Sequence, residues 1–250
     1  MSEVVDFKAG YVLAFDKPYR RTSFYLVSRV RWLLSRRTGM KRLKVGHAGT
    51  LDPLATGVEI ICVGKATKRI EELQLHTKEY IAGVRLGATT PSFDMEHPED
   101  ATYPTDHITE DAVRKVLKSF EGDIMQEPPL FSACNIDGKR AYKLARKGSD
   151  VRLKAKPVRI DEIELLEYSP TDLRIRVVCG KGTYIRALAR DIGEALGSGA
   201  YLTSLRRTRV GDIRVEDCFA TYDDFEKWVD TIEIIDSEAQ NASPLPDNKQ

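Results

Sequence analysis

No run of 18 consecutive apolar residues occurs in the 250-residue sequence, so no segment reads as a membrane-spanning helix. The opening stretch, MSEVVDFKAGYVLAF, has no basic region ahead of its apolar part and does not read as a signal peptide. Cysteine is sparse: Cys62, Cys134, Cys179 and Cys218 are scattered, no CxxC pair occurs, and the four histidines do not cluster. That pattern supplies no metal-ligand set and suits reduced, buried thiols in a cytoplasmic protein. Phosphate-binding loops are missing too. Gly180-Lys181-Gly182 places a glycine, and Gly64-Lys65-Ala66 an alanine, where a nucleotide P-loop needs Ser or Thr. No GxGxxG follows a strand, and there are no internal repeats. These absences speak against nucleotide-driven chemistry.

Net charge is also nearly absent, at +1, but this average hides strong segregation. From Asp16 to Thr50 there are ten Lys or Arg and one acid, and Lys139–Arg159 carries nine more against Asp150 alone. The last forty residues reverse the sign, with eleven acids and three bases. Two strongly cationic segments in one chain are what a polyanion-binding surface requires, because phosphate contacts release condensed counterions. The distribution points to nucleic acid.

Apolar patterning predicts interleaved strands and helices. Gly10–Phe15, Gly57–Gly64, Tyr80–Gly87, Arg159–Tyr168 and Leu173–Cys179 read as strands, being apolar or alternating runs bounded by turn formers. Ser23–Ser35 reads as a helix with Phe24, Val27, Val30, Leu33 and Leu34 on its apolar stripe and arginines off it. A second helix carries Val113, Val116, Leu117 and Phe120, with Gly122 as its stop, and a third runs over Tyr184–Leu196 with Thr183 as its N-cap. Some strands follow each other directly, which favours an α+β fold with a mixed, largely antiparallel central sheet and flanking helices. Residues 128–159 lack periodicity beyond a short helical piece at 141–145, and a segment this long and basic reads as a functional arm. After Asp236 the polar, Pro-containing sequence predicts a frayed tail over 237–250.

One aspartate stands out. Asp52 lies in an apolar, Gly-rich loop, GHAGTLDPLATG, leading into the strand at Gly57. Alone, Asp52-Pro53 is a turn dipeptide. Glycoside hydrolysis would need a second carboxylate, and the nearest, Glu59, falls in mid-strand. A lone carboxylate can still act as a nucleophile if a nearby cation keeps it ionised. Arg186 is a candidate cation, because a positive charge in the first helical turn opposes the helix dipole unless an anion accompanies it.

The Gly46–Gly57 stretch resembles the catalytic-loop signature of the TruB-type tRNA pseudouridine synthases, a GHxGTLDPxATG pattern. Four further stretches match the family in order: Asp16-Lys17-Pro18 with Thr22-Ser23; Lys78-Glu79-Tyr80; Gly180 to Arg186; and Leu205-Arg206-Arg207. The resemblance spans about residues 10 to 215. It implies the pseudouridine synthase fold, and isomerisation of uridine 55 in the tRNA T loop to pseudouridine without metal or other cofactor. By position, Asp52 would be the nucleophile, with attack at C1′ of the sugar and at C6 of the base both open. Tyr80 would stack on the flipped uracil, and Arg186 would pair with Asp52. His47 would wedge into the RNA, flanked in the loop by the substrate-binding positions Gly49 and Thr50. Lys17 and Pro18 would buttress the pocket, and Leu205 would wall it.

The resemblance further implies one catalytic domain over 1–236, with the basic stretch 128–159 as a thumb-like insertion gripping the tRNA T arm. The acidic residues after Arg214 do not suit a C-terminal RNA-binding PUA domain. A cytoplasmic monomer with no protein partner is expected. The alternatives are a non-catalytic RNA-binding or tRNA-folding module on the same scaffold, and a base-excising glycosylase. One departure concerns the turn after Lys17-Pro18, where this chain has Arg20 and the family usually has glycine.

Overall fold

Strands form where the apolar runs fall. A computed structural model of the chain describes residues 3–40, 42–131, 135–136, 139–140 and 153–237. Two compact units emerge: one from the described residues of Met1–Leu75 and Ile213–Gln250, the other from those of His76–Asp212.

In the first unit, β1 (Tyr11–Lys17), β2 (Val45–His47) and β3 (Ala55–Val63) associate with β3 in the middle, antiparallel to both neighbours. The GVEIICV run of β3 is buried at every residue from Gly57 to Val63, as befits a strand covered on both faces. Helix α1 (Ser23–Thr38) starts at Thr22, whose side chain accepts the Tyr25 N–H, and stops at Gly39 in the left-handed region (φ 68°). Its buried stripe is Leu26, Val27, Val30, Leu33 and Leu34. Phe24, expected on that stripe, is 62% exposed. At 100° per residue it lies roughly 120° around the helix from Val30, beyond the edge of the apolar face.

The acid-rich C-terminal region contributes core as well as charge. A helix over Tyr222–Thr231, opened by a Thr221/Asp224 capping box, buries Phe225 and Val229. Phe225 and Trp228 join Phe7, Tyr11, Phe15 and Phe219 in an aromatic cluster with ring centroids 5.2–6.3 Å apart. The same helix meets basic α1: the Arg29 guanidinium lies 4.0 Å over the Tyr222 ring, and Asp230 pairs with Arg37. Burial pushes the Tyr222 phenol up to about 12. Val4–Val5 pairs in parallel with Glu233–Ile234, and Ser237 N–H donates to Asp6 at 3.1 Å. The rest of the expected tail lies outside the described residues.

The second unit holds a five-stranded antiparallel sheet of β4 (Lys78–Leu86), β5 (Gly122–Gln126), β6 (Lys156–Tyr168), β7 (Asp172–Cys179) and β8 (Ala200–Val210), in the order β8-β4-β7-β6-β5. Along β4 burial alternates strictly, with Lys78, Tyr80, Ala82, Val84 and Leu86 on the covered face. Helix α2 (Glu110–Ser119) packs on β6, and α3 (Ile185–Ala195) on β8 and β4. The close approach of α3 depends on Gly193, where a Cβ would stand 2.5 Å from the Ala200 amide nitrogen. The N-cap of α3 is Tyr184, not Thr183, whose hydroxyl instead donates to the Gly180 carbonyl at 3.2 Å. Strand β6 begins at Lys156, so the irregular segment ends earlier than expected. Within it, 135–136 pairs antiparallel with 139–140, and the expected helical piece at 141–145 lies outside the described residues. The ladders described above, antiparallel but for the short parallel pair, are those of an α+β fold.

Arg20 adopts φ 61°, so the turn after Lys17-Pro18 takes the left-handed conformation in which glycine is unstrained. Its amide donates to the Pro53 carbonyl at 2.8 Å, which fixes the conformation. Arg20→Gly should therefore stabilise the fold by roughly 0.5–1 kcal/mol, the strain relieved outweighing the flexibility gained. Thermal denaturation should show a melting temperature higher by about 1–4 °C, and a fall would contradict this account.

Candidate active site

The GHAGTLDPLATG segment connects β2 to β3, and its backbone is bonded along its length. Ala48 N–H donates to the Ile60 carbonyl at 2.9 Å, and Ala55 N–H to the Asp52 carbonyl at 3.0 Å. The second bond closes a β-turn with Pro53 at its first central position, where proline pre-sets φ. The turn reading of Asp52-Pro53 is thus correct for the backbone, and it uses the main-chain carbonyl of Asp52. Asp52 itself is half-buried; Leu51 beside it is buried, and Pro53 and Leu54 are half-buried. His47 and Gly49 are also half-buried, whereas Thr50 is exposed.

The Asp16-Lys17-Pro18 stretch supports this loop from beside it. Asp16 Oδ1 accepts the Gly57 N–H at 3.1 Å. Lys17 is fully buried, and its ammonium donates to the carbonyls of Arg21 (2.6 Å), Pro18 (3.1 Å) and Pro53 (3.4 Å). The carbonyl dipoles around the ammonium offset part of the cost of burying its charge. Lys17 thereby ties the turn before α1 to the turn after Asp52.

In the second unit, Tyr80 is 8% exposed on the covered face of β4, in register with Val177 of β7 and Arg207 of β8. Leu205, on β8, is half-buried. Arg186, at the second residue of α3, is 4% exposed rather than lying on the surface. Its guanidinium donates to the carbonyls of Phe131 (2.9 Å) and Ser92 (3.1 Å), and Nε lies 3.7 Å from Asp94 Oδ2. Asp94 is in turn held by the Ser92 hydroxyl at 2.6 Å and the Glu96 amide at 3.0 Å. Ser92 and Asp94 escaped the sequence reading, since both fall in a Pro-containing loop with no periodicity. Phe93 between them has φ 60°, a strained conformation for a bulky residue and a structural mark of a constrained site.

Lys78, two residues before Tyr80, is also buried, and its ammonium donates to the His76 carbonyl at 2.6 Å. Burial, with Arg207 adding repulsion, lowers its pKa to about 8 from 10.5. Below pH 8 it is protonated in both folded and unfolded states, and the folded state bears the full burial cost. Between pH 8 and 10.5 the unfolded state holds the extra proton, so stability rises with pH. Lys78→Met should remove that rise, which amounts to up to about 3 kcal/mol. Urea denaturation of both proteins across this range checks the difference.

The family model described as the TruB family pseudouridylate synthase N-terminal domain matches residues 36–185, more than half of the chain. The chain belongs to the TruB family. A second family model, the tRNA pseudouridylate synthase B C-terminal domain, matches residues 186–239 of this TruB-family chain. The tRNA pseudouridine synthase B of Phocaeicola vulgatus is 65% identical, over 92% of this chain and 97% of that protein. Its namesake in Bacteroides thetaiotaomicron is 64% identical, over 95% and 100%. Among solved structures, a chain of a Cbf5-Nop10-Gar1 complex is 32% identical with a TM-score of 0.63, covering 87% of this chain and 54% of that one. A chain of an H/ACA RNP bound to a substrate RNA containing 2′-deoxyuridine is 31% identical with a TM-score of 0.61, over 86% and 51%. The TruB-family chain thus spans about half the length of those solved chains. No helix among the described residues is long and apolar enough to cross a membrane.

Proposed function

We propose that this TruB-family chain isomerises uridine 55 in the T loop of tRNA to pseudouridine, in the cytoplasm, with residues 1–236 as its catalytic domain. The observation that carries the reading is the Asp52 loop: a half-buried carboxylate on a backbone braced by Lys17, Arg20 and Ala55, inside the full GHAGTLDPLATG sequence. The relatives named tRNA pseudouridine synthase B, 60–65% identical to this chain, support the same reaction.

The proposed chemistry follows from the residue types. The Asp52 carboxylate attacks the nucleotide, at C1′ or at C6, and the bond between C1′ and N1 breaks. The uracil turns, C5 bonds to C1′, the C5 proton is lost while N1, left with the electron pair of the broken bond, takes one up, and Asp52 is released. Atoms are only rearranged, so no electron carrier enters. A base in a folded loop must first leave its stack, at a cost of a few kcal/mol that an aromatic surface and an inserted side chain can offset. Tyr80 supplies the aromatic face, His47 the wedge, and Leu205 the apolar wall. Gly49 and Thr50 face the RNA beside His47, and Arg186 keeps Asp52 charged. Lys17 and Pro18 buttress the pocket through the loop.

Incubating purified protein with an unmodified tRNA transcript and mapping pseudouridine tests the reading. Product at one T-loop uridine supports it. Tight binding without product would favour the RNA-binding module, and free uracil a glycosylase.

A further inference from the structure

We propose that Glu59 is a positioning residue for the nucleophile loop, acting through the Ser23 hydroxyl on the Leu51 amide. The inference rests on the reaction proposed above. Glu59 sits in the middle of β3, 0% exposed, between the buried aliphatic residues Val58 and Ile60. An aliphatic side chain would suit that strand better, because a buried carboxylate carries a large desolvation cost that only close polar contacts offset. Those contacts lead to the Asp52 loop. The Ser23 hydroxyl donates to Glu59 Oε2 at 2.5 Å, and the Leu51 N–H donates to Ser23 Oγ at 2.9 Å. Ser23 is itself 2% exposed, at the first turn of α1.

The direction of this relay is set by a count of protons. Ser23 has one hydroxyl proton and two acceptors within reach: Glu59 Oε2 at 2.5 Å and the Leu51 carbonyl at 3.3 Å. The shorter, charge-assisted bond takes the proton, which turns an Oγ lone pair toward the Leu51 N–H. Without the carboxylate, the hydroxyl proton turns to the Leu51 carbonyl, and one oxygen must then serve both polar groups of the same residue. Leu51 immediately precedes Asp52, so its amide fixes the peptide from which the nucleophile projects. The other carboxylate oxygen, Oε1, lies 3.9 Å from His47 Nδ1, where the loop leaves β2. One buried group thus bears on both ends of the stretch from His47 to Asp52. Displacing a reacting group by about 1 Å can cost on the order of 100-fold in rate, so the expected effect falls on catalysis rather than on RNA binding.

The test compares Ser23→Ala, Glu59→Gln, Glu59→Leu and the Ser23→Ala/Glu59→Leu double variant in single-turnover assays on tRNA transcript. Filter-binding affinity and circular-dichroism melting are measured alongside. Ser23→Ala and Glu59→Leu should each slow isomerisation by about 10–100-fold with tRNA affinity within about twofold of wild type. Glu59→Gln keeps an oxygen to accept the Ser23 proton and should fall between. The double variant should be no slower than the slower single one, because both break the same relay. A merely structural role predicts instead that rate losses follow loss of folded protein and vanish well below the melting temperature. Should Glu59→Leu not fold, Ser23→Ala, which loses one oxygen atom, and Glu59→Gln carry the comparison. Wild-type rates in both of those variants, or losses that multiply in the double variant, overturn the inference. An inactive wild-type protein would defeat the proposed reaction, and the inference with it; an active wild type with unaffected variants defeats only the inference.

Discussion

Asp52→Asn is expected to lower pseudouridine formation by about 10⁴-fold or more, the scale on which loss of a nucleophile acts when binding is left intact. The substitution is isosteric and leaves the turn untouched, because the Ala55 amide bonds to the main-chain carbonyl of Asp52. Circular-dichroism melting of the same preparation checks the folded fraction. Affinity for tRNA should hold or increase, since one negative charge near a phosphate-rich ligand is removed. Single-turnover conversion and filter binding on the same preparation separate the two effects. A residual rate within about tenfold of wild type would mean that Asp52 is not the nucleophile.

The second large effect is that of salt on tRNA affinity. Arg20, Arg21, Arg36, Arg37, Arg42 and Lys44 are exposed in the first cationic segment. Their partners limit how many reach phosphate: Arg37 pairs with Asp230, and Arg36 lies over the Trp32 ring at 5.3 Å. The second segment, Lys139–Arg159, adds further cations. With about six phosphates neutralised in all, affinity should fall by on the order of 10³-fold between 50 and 200 mM monovalent salt. Binding that is flat across that range would remove the electrostatic grip from the account. Replacing Arg20 and Arg21 together by Gln should make the slope shallower by about two, the signature of lost phosphate contacts.

The elements legible from sequence were those whose pattern is local. α1, β3, β4, β7 and α3 each show an apolar period or run bounded by glycine or a capping residue, and each lies within a few residues of its expected limits. β8 is harder to see, because three arginines interrupt its apolar residues and one of them, Arg207, is buried at 2%. β5 has only five residues and a weak alternation. The Tyr222–Thr231 helix was masked by its acids, although Phe225 and Val229 at i, i+4 carry its buried side. For the candidate site, the Asp52 loop was readable because its motif is contiguous. The surroundings of Arg186 were not, since Ser92, Asp94 and Phe131 reach it from loops far away in sequence. Glu59 read only as a mid-strand carboxylate, because nothing local reveals that Ser23, on another element, meets it.

The first unit draws its aromatic cluster from Phe7, Tyr11 and Phe15 at one end and Phe219, Phe225 and Trp228 at the other, with residues 76–212 between them in the chain. During synthesis on the ribosome, the stretch bearing Asp52 emerges early yet must wait for the late-translated Tyr222–Thr231 helix before its hydrophobic interior can close. The contiguous His76–Asp212 portion faces no such delay. Nascent polypeptides arrested before Phe219 should consequently leave the nucleophile-bearing half open to protease, whereas in chains released in full that half acquires resistance.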